Sequence, residues 1–122
     1  MSAEAYLARI RAICLSLPEI EERLSHGSPT WFIRGKKSIG SFVDHHHGDP
    51  RVAIWIPAAP GMQEALIQAD PVMFYRPPYV GPAGWIAVNL DAVKDWDEVE
   101  GLLVEAYRLV GPKKLVALIE GR

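Results

Sequence analysis

At 122 residues, with 49 % hydrophobic and 23 % charged side chains, the chain has the make-up of one folded domain spanning residues 1–122 and not of a disordered or fibrous segment. Its formal charge of −2 gives no global attraction for polyanions, and its single cysteine, Cys14, excludes an intrachain disulfide and a cysteine-built zinc site. No apolar run reaches the roughly 18 residues that cross a bilayer, and Met1 to Leu17 lacks the basic start and small-residue cleavage site of a signal peptide, so a cytoplasmic protein without a membrane partner is expected.

Leu7, Ile10, Cys14 and Leu17 recur at helical spacing behind a Ser2 cap, which predicts an amphipathic helix from about Ser2 to Leu17, ended by Pro18. Four strands follow, Glu21 to Leu24, Thr30 to Arg34, Lys37 to Val43 and Arg51 to Ile56, separated by Gly, Pro, Asp and His turns; their short connections imply an antiparallel meander. Pro60 and Gly61 open a short helix through Ala69 with Met62, Ala65, Leu66 and Ala69 on one side, and Asp70-Pro71 stops it. Met73 to Tyr75 is a brief extended piece, Arg76 to Gly84 an ordered loop too rich in proline and glycine for a central strand, and Trp85 to Leu90 a strand with one face inward. Trp96 to Val110 gives the clearest helical pattern: Asp95 and Glu98 stand at capping-box spacing, and Val99, Leu102, Leu103, Ala106, Tyr107 and Val110 form one stripe. Gly111-Pro112 ends it, and Lys113 to Ile119 makes a last short helix. The expected fold class is α+β, a two-layer sandwich of a mainly antiparallel sheet with helices packed on one face.

Three segments, GSPTWFIRGKK (Gly27 to Lys37), DPVMFYRPPYVGPAGWIAVNLD (Asp70 to Asp91) and WDEVEGLLVEAYRLVGPKKL (Trp96 to Leu115), resemble in order and spacing the MmcQ/YjbR-like family. The resemblance covers most of the chain after Leu17 and implies a small bacterial, cytoplasmic, single-domain protein of a fold related to the CyaY/frataxin sandwich. That family is often labelled DNA-binding on structural analogy and brings no established catalytic residues. The frataxin relationship invites an acidic iron site, but Glu4 is the first helix's one acidic residue, so Glu19, Glu21 and Glu22 are more simply the solvent side of a first strand.

The residues themselves offer four constellations. Arg34, Lys36 and Lys37 form a basic turn that, beside Phe32, Trp55 and Trp85 on an open sheet face, would hold phosphates while the aromatics stack bases, making DNA or RNA the candidate partner; the competing account has the RPPYVGPAG loop or a second subunit covering those aromatics. Tyr75, Arg76, Tyr79 and Trp85 form an alternative cleft for a small molecule or a protein, in which Arg76 would grip an anion. His45, His46 and His47, with Asp44 and Asp49, are weak metal candidates, since consecutive residues in extended structure point opposite ways; an exposed hairpin tip is favoured. His26 beside Ser25 and Ser28 lacks the geometry of a triad and the glycine-framed elbow of a nucleophilic serine. No acid, base and nucleophile set emerges, so a non-enzymatic monomer without a cofactor is expected.

Overall fold

The computed structural model describes residues 1–121. Helix α1 (Ala3–Leu15) leads into β1 (Ile20–Ser25), β2 (Ser28–Ile33), β3 (Lys37–Asp44) and β4 (Val52–Ile56). Helix α2 (Met62–Ala69), β5 (Phe74–Tyr75) and β6 (Ile86–Asn89) follow, then α3 (Trp96–Val110) and α4 (Lys113–Ala117). The six strands make one antiparallel sheet in the order β1-β2-β3-β4-β6-β5, so the meander expected from the short connections is present and only β5 leaves sequential order. The two layers match the α+β sandwich that periodicity implied.

Two helix starts have a local cause. The Ser2 hydroxyl accepts from the Ala5 amide and starts α1, while the Asp95 carboxylate accepts from the Asp97 amide at 2.9 Å and starts α3. α3 presses Val99, Leu103, Ala106 and Tyr107 onto the sheet, and α1 adds Tyr6, Ile10 and Cys14. The sheet answers with Trp31, Ile33, Ile39, Phe42, Ile54, Ile56, Ile86 and Val88. Burial raises the Cys14 thiol well above its ordinary value, so it is an inert core group, and the Tyr107 hydroxyl donates to the Pro18 carbonyl at 2.7 Å, tying α3 to the chain entering β1.

Two expectations are corrected. Glu22 is not on the solvent side of β1: opposite Trp31 in the register, it faces the helices. There Arg11 of α1 binds both its oxygens at 2.7 and 2.8 Å, and the Trp31 indole N–H donates to it at 2.9 Å. A carboxylate is tolerated there because three donors replace its water. In α2, Met62, Ala65 and Ala69 are exposed, and the helix instead buries Gln63 and part of Leu66 and Ile67. The Gln63 amide spans two backbone carbonyls, Gly81 at 2.9 Å and Trp85 at 2.6 Å, so hydrogen bonding and not side-chain hydropathy sets the buried face.

Gly101 sits in the interior of α3, where glycine costs about 1 kcal/mol against alanine. A Cβ there would meet nothing within 4 Å, so packing inside the chain gives no reason for it.

Candidate binding surface on the second sheet face

The pleat sends alternate side chains to the face away from the core, and the register lines up one row across all six strands: Arg23, Thr30, Ser41, Trp55, Ala87 and Tyr75. A second apolar cluster lies here, Val43, Ala53, Trp55 and Ala87 with Tyr75, Val80 and Trp85 against it, and it contains no residue of any α-helix. The RPPYVGPAG loop therefore folds back as a cover over Trp55, which is 8 % exposed. Its Nε1 is buried beside the Tyr75 hydroxyl but has no hydrogen bond of acceptable geometry.

The His45–Asp49 loop closes the other side of Trp55. The His46 ring meets Trp55 edge-on at 4.9 Å between centroids, His47 meets His46 at 4.1 Å, and Tyr79 stands 6.0 and 6.3 Å from the two imidazoles. Burial, then the neighbouring His47, lowers the His46 pKa and favours its neutral ring. His45, His47 and Tyr79 hold φ of 53°, 49° and 64°, so half of the chain's six described non-glycine residues in the left-handed region lie in the two loops that flank Trp55. Each such backbone costs of order 1 kcal/mol and persists only where surrounding contacts impose it. Tyr79 is 74 % exposed, a strained aromatic held out in water.

Arg51 lies beside this corner, its guanidinium 3.4 Å from the Tyr75 ring centroid and doubly bonded to Asp49. The Arg51 side chain, against a smaller opposing effect of burial, pushes the Asp49 carboxyl down to about 2. Because the folded value is lowered, the pairing contributes above about pH 4 and is lost as pH falls towards 2. With both side chains about one-third exposed, the expected loss is about 1 kcal/mol, read as an acid limb in urea-unfolding stability that Asp49→Asn flattens.

The basic turn belongs to the opposite end of the sheet, where Lys37 pairs with core-facing Ile33. Arg34 is bound through two nitrogens to Glu19 at 3.1 and 3.0 Å, the Arg23 guanidinium lies 3.7 Å over the Phe32 ring, and Lys36 and Lys37 are exposed. Lys37 precedes Ser41, the partner of Trp55, by four residues, about 13 Å of strand. The structure thus separates Phe32, Arg34, Lys36 and Lys37 from Trp55 and Trp85. It brings Tyr75, Tyr79 and Trp85 together with His46 and His47, while Arg76 lays its methylenes over Gly81. Among the described residues no three His, Cys, Asp or Glu side chains are placed to hold a metal, and His45 is engaged by Asp44. His26 lies exposed in the two-residue turn between β1 and β2. Sequence reasoning missed the joining of the histidine loop to the tyrosine loop; the signal available was Trp55 on the strand that Arg51 enters, whose outward face both loops flank.

A six-stranded antiparallel sheet layered with helices on one face and loops on the other defines an α+β sandwich. The family model named YjbR matches residues 15–109, and the chain belongs to that family. The fold is similar to the crystal structure of Deinococcus radiodurans protein DR2400, which carries the DUF419 domain, with a TM-score of 0.72 at 20 % identity over 88 % of this chain and 80 % of that one. No curated protein matches the sequence. Among the described residues no helix is long and apolar enough to cross a membrane.

Proposed function

We propose that this YjbR-family chain is a small non-enzymatic binding module whose His46, His47 and Tyr79 corner takes a planar aromatic ring, such as a nucleobase, free or in a single strand. One observation carries this: Tyr79 is 74 % exposed yet held at a φ of 64°, an arrangement that weakens the fold and leaves a ring face open for stacking. A strand passing the corner could also reach the Lys36–Lys37 turn at the far end of the sheet, although Lys37 pairs with core-facing Ile33, Glu19 offsets Arg34 and Glu21 lies against the Gly35 turn.

The test is quenching of Trp55 and Trp85 emission on titration with oligothymidylate and, separately, thymidine monophosphate. Tyr79→Ala should weaken binding roughly 5- to 100-fold, the worth of one stacked base, without lowering the melting temperature. Strand-only binding that falls with salt and with Lys36→Glu/Lys37→Glu identifies a nucleic-acid site; equal, salt-insensitive binding of the mononucleotide identifies a small-molecule site. No quenching by either, or unchanged affinity in Tyr79→Ala, overturns the proposal.

A further inference from the structure

Two cavities open on the opposite side, between α2 and α3. One of about 510 Å³ runs past Asp97, Glu100, Gly101 and Val104, and another of about 360 Å³ past Pro57, Met62 and Leu109. Both are lined by Leu66, Leu102, Glu105 and Arg108, so they form one groove along α3, about 18 Å long from Asp97 to Leu109 at the helical rise. We propose that this groove docks a basic amphipathic helix of a partner protein.

Its floor is apolar: Leu66 and Leu102 are half-buried, and Met62 and Leu109 at its lower end are 40 % and 49 % exposed. Gly101 interrupts the wall with bare backbone where a Cβ would meet nothing of this chain, so an approaching helix can come closer there than side chains elsewhere would allow. Charge sets the partner's sign. Asp97, Glu98 and Glu100 line the upper end, and none of them forms an ion pair among the described residues; Glu105 is engaged by Arg108. The α3 dipole accounts for acidic residues in the first turn, Asp97 and Glu98, but not for Glu100, which lies beyond it. A three-turn helix with apolar residues at i, i+4 and i+7 over Leu66 and Leu102, and lysine or arginine towards Glu98 and Glu100, satisfies both the floor and the rim.

The test titrates the full chain against a fluorescent 18-residue leucine–lysine amphipathic peptide and its leucine–glutamate counterpart by anisotropy, with amide chemical-shift mapping. The basic peptide should bind at least tenfold more tightly, shift Leu66, Gly101 and Leu102, and lose about tenfold in affinity with Gly101→Leu, which fills the notch. Glu98→Lys/Glu100→Lys should lose a comparable amount, and because both positions are exposed this variant tests the groove even if Gly101→Leu folds poorly. Tyr79→Ala should leave peptide binding unchanged, so this groove and the aromatic corner stand or fall separately. Absent binding, equal binding of the two peptides, or shifts confined to other surfaces overturn the proposal. A parent dimer by sedimentation equilibrium that Glu98→Lys/Glu100→Lys dissociates also overturns it, assigning the groove to a second copy.

Discussion

Trp31→Ala is expected to lower unfolding stability by about 4–5 kcal/mol, at the upper end for a buried aromatic cut to alanine. Trp31 is wholly buried on β2 and lies within the main core. Truncation opens a cavity and removes the indole donor from Glu22 Oε1, the oxygen that also takes the Arg11 Nε–H. Domains of this size are stable by about 5–15 kcal/mol, so the loss should move the urea midpoint by about a quarter or more of its value at unchanged slope. Trp31→Phe keeps most of the volume but still forfeits a hydrogen bond to a charged acceptor, a loss of about 1.5–3 kcal/mol. The same change alters the response to acid. Glu22 is held below the ordinary carboxylate range by Arg11 first and by Trp31 in addition, against its own burial. Its contribution is therefore present above that range and lost as pH falls through the lowered value; without the indole, the loss should be smaller and complete at a higher pH. A cost under about 2 kcal/mol for Trp31→Ala would contradict the central place given to this side chain.

Much of this fold is legible in local pattern, because period and punctuation act within a few residues. The α3 stripe, the Asp95 cap and the β2-β3 hairpin all follow from spacing that the chain cannot satisfy another way. β4 shows where local pattern stops: all five residues from Val52 to Ile56 are buried, so both of its faces are covered. Alternation says that Trp55 opposes Ile54 and Ile56, yet what lies above Trp55 depends on two loops meeting from opposite directions along the chain. Glu22 was hidden for a related reason. Its charge argues for solvent, whereas its parity with Ile20 argues for the core, and only the arrival of Arg11 and Trp31 lets parity win. The groove beside Gly101 was equally invisible, since the glycine falls within a good helical pattern and becomes a notch only once α2 packs alongside.

Trp55→Ala is expected to cost about 3–5 kcal/mol, because Trp55 is the largest side chain of the second cluster and both covering loops rest on it. Trp55→Phe, unlike its counterpart at position 31, should cost about 1 kcal/mol or less. The two tryptophans differ in their N–H groups: that of Trp31 is bonded to a carboxylate, and that of Trp55 is buried beside the Tyr75 hydroxyl without a bond of acceptable geometry. Removing an unsatisfied buried donor returns a desolvation cost of about 1–3 kcal/mol, which offsets the volume lost on going to phenylalanine. Urea unfolding of the four variants measures the contrast directly, and equal costs for the two phenylalanine variants would mean that the Trp55 N–H is satisfied after all. The substitutions also separate support from contact at the corner. With Trp55→Phe, His46 keeps an aromatic edge to pack on, and stacking at Tyr79 should survive. With Trp55→Ala, the His46 ring loses the aromatic edge it packs on and the two loops lose their common support, so the corner relaxes and binding should fall as far as it does in Tyr79→Ala. A binding defect in Trp55→Phe as deep as in Trp55→Ala would instead place the indole N–H itself against the ligand.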